Sequence, residues 1–162
     1  CYRWNWIVLA PSGHALNAGQ TLTLKALSDY PLITYVPGIT GRSKLDAAFA
    51  QEELKPRIIL SAVDADVIKT YVRLGLGVGL IAHMAYDPVA DSDLAALDAS
   101  HLFDYSVTKI GLRRDVFVRR FLHDFIQLFA PHLTPHVIEQ ALAIGDREAI
   151  NAMFTEVDLP EH

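Results

Sequence analysis

Apolar residues in the first half of the chain come in short uninterrupted runs, whereas in the second half they recur at helical spacing. Trp6-Ile7-Val8-Leu9-Ala10 ends at the turn-rich Pro11-Ser12-Gly13-His14 and reads as a short buried strand. Thr23 offers an N-cap for a helix over Leu24 to Tyr30, Pro31 breaks it, and Leu32 to Val36 is the next strand. Pro37-Gly38 stops that strand, and Thr40-Gly41-Arg42-Ser43 introduces a helix over Lys44 to Leu54, with Leu45, Ala48, Phe49 and Leu54 at helical spacing. Lys55-Pro56 closes the helix and Arg57 to Ala62 forms a strand. Asp64 or Asp66 then caps a helix over Val67 to Leu74, and Gly75, Gly77 and Gly79 lead into a strand over Leu80 to Met84.

Short strands alternating with helices predict an α/β fold: an open, largely parallel sheet with helices on its faces and a ligand crevice beyond the strand C-terminal ends. From Tyr86 to His101 the chain turns polar and acidic, with Asp87, Asp91, Asp93 and Asp98, before Tyr105 to Leu112 alternates like a strand. A subdomain boundary is expected near Tyr105. Beyond it the chain is helical. Phe117, Phe121, Phe125, Ile126 and Phe129 make an apolar stripe through Val116 to Phe129, expected to face the core. Ala130-Pro131 ends it, Thr134-Pro135 opens another helix, and Asp146 opens a last one to Phe154.

The 162 residues, 51% hydrophobic and 20% charged, suit one globular domain with a real core. A formal charge of -5 argues against a nucleic-acid surface on this chain, because phosphate binding relies on clustered Lys and Arg. The single cysteine, Cys1, excludes an intramolecular disulfide and a multi-thiolate metal site, and fits a reducing, cytoplasmic setting. The longest uncharged apolar stretch, Leu74 to Tyr86, falls well short of the roughly 20 residues a membrane span needs. The chain opens on Cys1 without a methionine and enters its apolar run at once, as expected of a piece of a longer protein. A mature lipoprotein also begins with cysteine, but it carries a polar tether where this chain has Tyr2, Arg3 and Trp4.

The best candidate for chemistry is Gly38-Ile39-Thr40-Gly41-Arg42-Ser43, a strand end running into a helix N-terminus. Unpaired amides and the positive dipole end stabilise a small anion there. Thr40 adds a hydroxyl donor, while Gly38 and Gly41 let a ligand approach the backbone. An ordinary N-cap turn has the same pattern, and pattern alone does not choose between them. Gly75-x-Gly77-x-Gly79 runs from helix to strand, the wrong direction for a dinucleotide fingerprint, and reads as a helix C-cap and tight turn. Asp64 and Asp66 read as caps before a catalytic pair, and no Gly-x-Ser-x-Gly elbow supports a hydrolase. His132 and His136 have ligand spacing, but Pro131 and Pro135 break the helix that would align them. Lys109, Arg113, Arg114, Arg119 and Arg120 form a solvated face or a subunit contact. Trp4 is not assigned to either core or ligand.

Four stretches carry a resemblance to a known family: Cys1-Tyr2-Arg3-Trp4-Asn5, Thr40-Gly41-Arg42-Ser43, Asp64 to Gly79 (DADVIKTYVRLGLGVG) and Phe129-Ala130-Pro131-His132-Leu133-Thr134. Together they resemble LysR-type transcriptional regulators of the CysB/Cbl group over essentially the whole chain. The resemblance implies a type 2 periplasmic-binding-protein-like effector domain with a hinged cleft between two subdomains. Residues 1–105 would be the second subdomain, and residues 106–162 would return to complete the first. The helix-turn-helix would lie outside this chain and make any DNA contact. The implied function is sensing, without catalysis or cofactor, for genes of sulfate assimilation and cysteine biosynthesis. The implied effectors are sulfate, thiosulfate, O-acetylserine or N-acetylserine. Thr40 matches a ligand-contacting threonine of the family, and the family assembles as homo-dimers or tetramers. Trp6 departs from the pattern, because relatives more often carry arginine after the asparagine, which leaves ligand preference near the hinge open. The alternative is an extracytoplasmic sulfate- or thiosulfate-binding protein of the same fold.

Overall fold

In the computed structural model, which describes residues 1–17, 19, 21–39, 41–113, 117–155 and 157–161, the continuous apolar runs become the inner strands of a sheet. The chain begins with β1 (Tyr2–Trp4) and β2 (Trp6–Pro11), then α1 (Leu24–Ser28), β3 (Pro31–Tyr35), α2 (Arg42–Gln51) and β4 (Arg57–Ala62). It continues with α3 (Ala65–Arg73), β5 (Val78–Ala82), β6 (Leu94–Asp98) and β7 (Ser106–Thr108), and ends in α4 (Arg120–Phe129), α5 (Pro135–Ile144) and α6 (Arg147–Met153). Two compact units result, Trp4–Ser106 and Val107–Glu161 with Cys1–Arg3. The division points fall inside β1 and β7, which pair as a two-stranded sheet.

The unit Trp4–Ser106 holds a five-stranded sheet in the order β4-β3-β5-β2-β6. Every residue of β5, and all of β2 but Pro11, is buried, as strands covered on both faces require. The edge strands β4 and β6 alternate instead. β3 runs parallel to β4 and β5, whereas β2 is antiparallel to both β5 and β6. The expected largely parallel sheet is therefore a mixed one. A strand buried on both faces has the same apolar run in either direction, so its orientation leaves no mark in the pattern. β6 was hidden in the acidic segment because only one of its faces is covered. The strand expected over Tyr105 to Leu112 is confined to Ser106–Thr108.

α3 ties the sheet together. Asp64 Oδ1 accepts from the Asp66 amide at 2.7 Å, capping the helix, and Ile68 and Val72 are fully buried beneath it. At the other end the Gly75 amide donates to Val72 O at 2.9 Å and the Leu76 amide to Tyr71 O at 3.2 Å, a Schellman closure with Gly75 at φ 72°. The next two glycines answer to space. A Cβ on Gly77 would stand 2.3 Å from Pro31 O, and one on Gly79 would meet Val72 Cγ2 at 2.9 Å and Ile68 Cγ2 at 3.1 Å. The glycine triplet is thus a helix stop followed by close helix–sheet packing. Also on α3, the buried Lys69 reaches the buried Asp91 at 2.7 Å through Nζ, and Arg73 reaches Asp91 at 2.8 Å and Asp93 at 2.7 Å. This network anchors the acidic loop before β6.

In the second unit, Thr134 caps α5 with Pro135 in its first turn, Gly145 at φ 69° ends it, and Asp146 caps α6. Cys1, Ile126, Ala130 and Ile138 are its buried apolar residues. The aromatic stripe does not form a core here: Phe117 is 86% exposed, Phe121 66% and Phe125 59%, with the rings of Phe125 and Phe129 stacked. α4 starts at Arg120, residues 117–119 are not helical, and positions 114–116 of the expected helix lie outside the described residues. Lys109, Arg113, Arg119 and Arg120 are exposed.

Candidate functional site

The C-terminal ends of the parallel strands β3, β4 and β5 share one edge of the sheet, and the antiparallel β2 begins there, with Trp6 opposite Ala82. Ligand crevices in α/β sheets lie beyond such an edge. β3 ends at Tyr35, the backbone turns through Gly38 at φ 90° and Gly41 at φ 67°, and α2 begins. Gly41 is the N-cap of α2 and brings no side-chain cap to the helix. The positive φ at both glycines is a conformation that other L-residues adopt at a cost. Thr40, between them, lies outside the described residues.

Two of the expected site residues differ in their surroundings. Gly38 is exposed, with open space where a Cβ would point. Gly41 is enclosed: its Cβ would stand 2.9 Å from Ser106 Oγ, 3.2 Å from Trp4 Cη2 and 3.2 Å from Trp6 Cζ2. Those two indoles meet edge to face at 5.6 Å, and Trp6 also packs against Tyr35 at 6.1 Å and Phe103 at 5.8 Å. The result is an aromatic cup within the Trp4–Ser106 unit, with the N-terminus of α2 at its rim. Burial pushes the Tyr35 phenol above its ordinary value, so it stays protonated, and its oxygen accepts from the Ala82 amide at 3.4 Å.

Arg42 stands first in α2 but faces inward, 8% exposed. Its guanidinium donates to Tyr35 O at 2.6 Å and to Asp46 Oδ1 at 2.8 Å, pinning the first turn of the helix to the end of β3. Lys44 is also engaged, donating to Tyr105 O and lying over the Tyr105 ring. By contrast Trp6 Nε1 and Ser106 Oγ are buried and have no hydrogen-bond partner among the described residues. Sequence reasoning read Trp6 only as strand and as a departure from a family pattern, and passed over Ser106 altogether. Neither lies in a motif, and the only signal is their convergence on Gly41. A shallow cleft of about 190 Å³ lies farther along α2, lined by Ser43, Lys44, Ala47, Gln51, Leu102 and Asp104 among others, and holds no orphaned donor.

The other candidates are structural. Asp64 is a cap, and the glycine triplet is packing. Among the described residues no group of three His, Cys, Asp or Glu gathers at metal-binding distance. No helix of the described residues is long and apolar enough to cross a membrane.

Residues 1–134 match the model of the LysR substrate binding domain family. The chain is 48% identical over 150 residues to the HTH-type transcriptional regulator SsuR of Burkholderia cenocepacia, covering 93% of this chain and 47% of that protein. It is 45% identical over 159 residues to the HTH-type transcriptional regulator CysB of Haemophilus influenzae, covering 98% and 49%. The chain thus spans about half the length of the curated relatives it matches. Among solved structures, the cofactor-binding domain of the Cbl transcriptional regulator superposes with a TM-score of 0.82 at 42% identity, over 87% of this chain and 62% of that one. These relatives are named as transcriptional regulators, not as enzymes, and the shared architecture is the type 2 periplasmic-binding-like α/β fold.

Proposed function

Because the chain belongs to the LysR substrate-binding domain family, we propose that it is the effector-sensing part of a cytoplasmic transcription regulator of sulfate assimilation and cysteine biosynthesis. It recognises a small anion at the α2 end of its sheet. The observation that carries this reading is the N-terminus of α2, uncapped by a side chain and packed against a cup in which two buried polar groups lack partners among the described residues. A helix end of this kind attracts negative charge, and buried donors without partners are satisfied by a ligand. Thr40, Gly41 and Gly38 are the proposed contacts, and the effector is sulfate, thiosulfate, O-acetylserine or N-acetylserine.

Residues 1–105 are proposed as the second effector subdomain and residues 106–162 as a segment that completes the first. The bare phenylalanine face of α4 supports this division, since an apolar face of that extent needs cover. DNA is contacted through a helix-turn-helix outside this chain, in a homo-dimer or tetramer. Effector binding acts by shifting populations between regulator conformations, with no covalent chemistry. The helix-turn-helix names of the relatives favour this reading over a solute-binding protein of transport.

The test is calorimetric titration of the full effector domain, native and Thr40→Ala, with sulfate, thiosulfate and the two acetylated serines. The native domain is expected to bind at least one of them, and Thr40→Ala to weaken that binding by about tenfold or more, roughly 1.4 kcal/mol. Absence of binding, or an unchanged affinity in the variant, returns the segment to a plain helix start.

A further inference from the structure

We infer that Trp6 and Ser106 are ligand contacts of the α2 site, their indole N–H and hydroxyl together receiving a tetrahedral oxyanion that carries no proton of its own. The inference rests on the anion reading of the α2 end and extends it to two side chains outside the glycine-threonine segment.

Trp6 is fully buried and Ser106 is 7% exposed, yet Trp6 Nε1 and Ser106 Oγ make no hydrogen bond among the described residues. A buried donor without a partner forfeits its hydration with nothing in return, so folded proteins keep few of them and each calls for an explanation. Here two occur together. They come from opposite ends of the unit, 100 positions apart in sequence, and converge on one residue, the N-cap of α2. Ser106 Oγ lies 2.9 Å, and Trp6 Cζ2 3.2 Å, from the point a Cβ on Gly41 would take. Cζ2 is two bonds from Nε1, so the polar edge of the indole is on the Gly41 side of the ring. If the cup served only to fill space, phenylalanine and alanine would close it without stranding either donor.

The kind of ligand follows from the donors. An indole nitrogen donates and never accepts, while a serine hydroxyl donates when it faces an anion. The helix end adds positive potential and further N–H groups. The guanidinium of Arg42, the first residue of α2, is held by Tyr35 O and Asp46, and the contacts inferred here are neutral. A site built of donors suits sulfate or thiosulfate, whose oxygens only accept. Inorganic phosphate near neutral pH keeps at least one O–H, which an indole cannot accept and whose acceptance by Ser106 Oγ would turn that hydroxyl's own proton away from the ligand.

The experiment is a proton–nitrogen correlation titration of the full ¹⁵N-labelled chain with sodium sulfate. Sodium chloride at matched ionic strength serves as control and sodium phosphate as the competing ligand. The chain has only two tryptophans, so two indole N–H signals appear and Trp6→Phe assigns them. Sulfate is expected to move the Trp6 indole signal saturably where chloride does not. Ser106→Ala and Trp6→Phe should each weaken sulfate binding by about tenfold, read from the amides of residues 41–43, and phosphate should bind more weakly than sulfate. Saturable shifts of those amides, with a stationary Trp6 signal and native affinity in both variants, would overturn the inference and leave the α2 anion site standing. No saturable response of any signal to sulfate overturns both. If Trp6→Phe does not fold, the indole shift of the native chain and the Ser106→Ala affinity decide.

Discussion

Adding one methyl group at Gly41 measures how tightly the cup is closed, and Gly38 provides the control three residues away. Both glycines have positive φ, 67° and 90°, so alanine at either position carries backbone strain of about 1–2 kcal/mol. At Gly38 nothing else follows, because no atom lies within 4 Å of the new Cβ. At Gly41 the methyl meets Ser106 Oγ at 2.9 Å and the two indoles at 3.2 Å each. The hydroxyl can rotate away, but the indoles, 6% and 0% exposed, have nowhere to go. Overpacking of this kind costs about 1–3 kcal/mol beyond the strain. Gly41→Ala should therefore be less stable than Gly38→Ala by about 2 kcal/mol. With a urea m-value of about 2 kcal/mol/M, that is a midpoint difference of about 1 M. Tryptophan fluorescence is a well-placed probe, since both tryptophans of the chain, Trp4 and Trp6, stand in the cup and report unfolding of the Trp4–Ser106 unit. Coincident midpoints for the two variants would refute the cup geometry and, with it, the claim that Gly41 is kept small by its neighbours.

Two further outcomes are expected. Burial alone would raise the Asp91 carboxyl, but the Asp87 amide, the Lys69 ammonium and the Arg73 guanidinium outweigh it and hold the pKa at about 2, against an ordinary 3.8. A depressed carboxylate stabilises above its unfolded pKa, so this contribution, about 2 kcal/mol, is present above pH 4 and lost as pH falls toward 2. Asp91→Asn also leaves the buried Lys69 ammonium with the exposed Asp66 carboxylate at 3.4 Å as its remaining ion-pair partner among the described residues and should cost about 3 kcal/mol at pH 7, with the gap to the native chain narrowing below pH 4. A gap independent of pH in denaturation curves would rule out the ion-pair account. On α4, Ile126→Ala should cost about 2–5 kcal/mol, because Ile126 is 1% exposed, whereas Phe125→Ala, at a residue 59% exposed, should move stability by about 0.5 kcal/mol or less. Equal losses in thermal melts would mean that the phenylalanine face is covered in solution.

The parts of this fold that were legible in the sequence are those in which local chemistry decides the outcome. Thr23, Asp64, Thr134 and Asp146 all cap the helices expected of them, because a cap is a contact between residues two or three apart. The buried strands announced themselves as apolar runs. What the pattern could not carry was anything set by distant partners. The direction of β2 depends on β5 and β6, and the half-covered β6 looked like an acidic loop. The phenylalanine stripe was read as core because amphipathicity marks a face that wants cover without naming the cover. The site divides the same way. The glycines around Thr40 were visible as a turn before a helix, while Trp6 and Ser106 became candidate site residues only once the fold had brought positions 6, 41 and 106 together.

The disposition of Arg42 gives the site its character. An arginine directly after the turn would ordinarily be taken as the anion's partner, since its planar fork matches an oxyanion well. Instead the side chain turns back under the helix, where its two strongest bonds go to Tyr35 O and Asp46. Its charge is thereby matched within the fold, and its role is to hold the N-terminus of α2 against the end of β3. What is left facing the cup is the helix dipole and neutral N–H and O–H groups. Such groups discriminate among anions by geometry and proton content, because each lost contact strands a buried donor, whereas a free guanidinium attracts any anion through charge alone. Under the anion reading proposed above, the first arrangement gives more selectivity than the second. Under that reading, the internal pairing of Arg42 and the donors of Trp6 and Ser106 act together in selectivity.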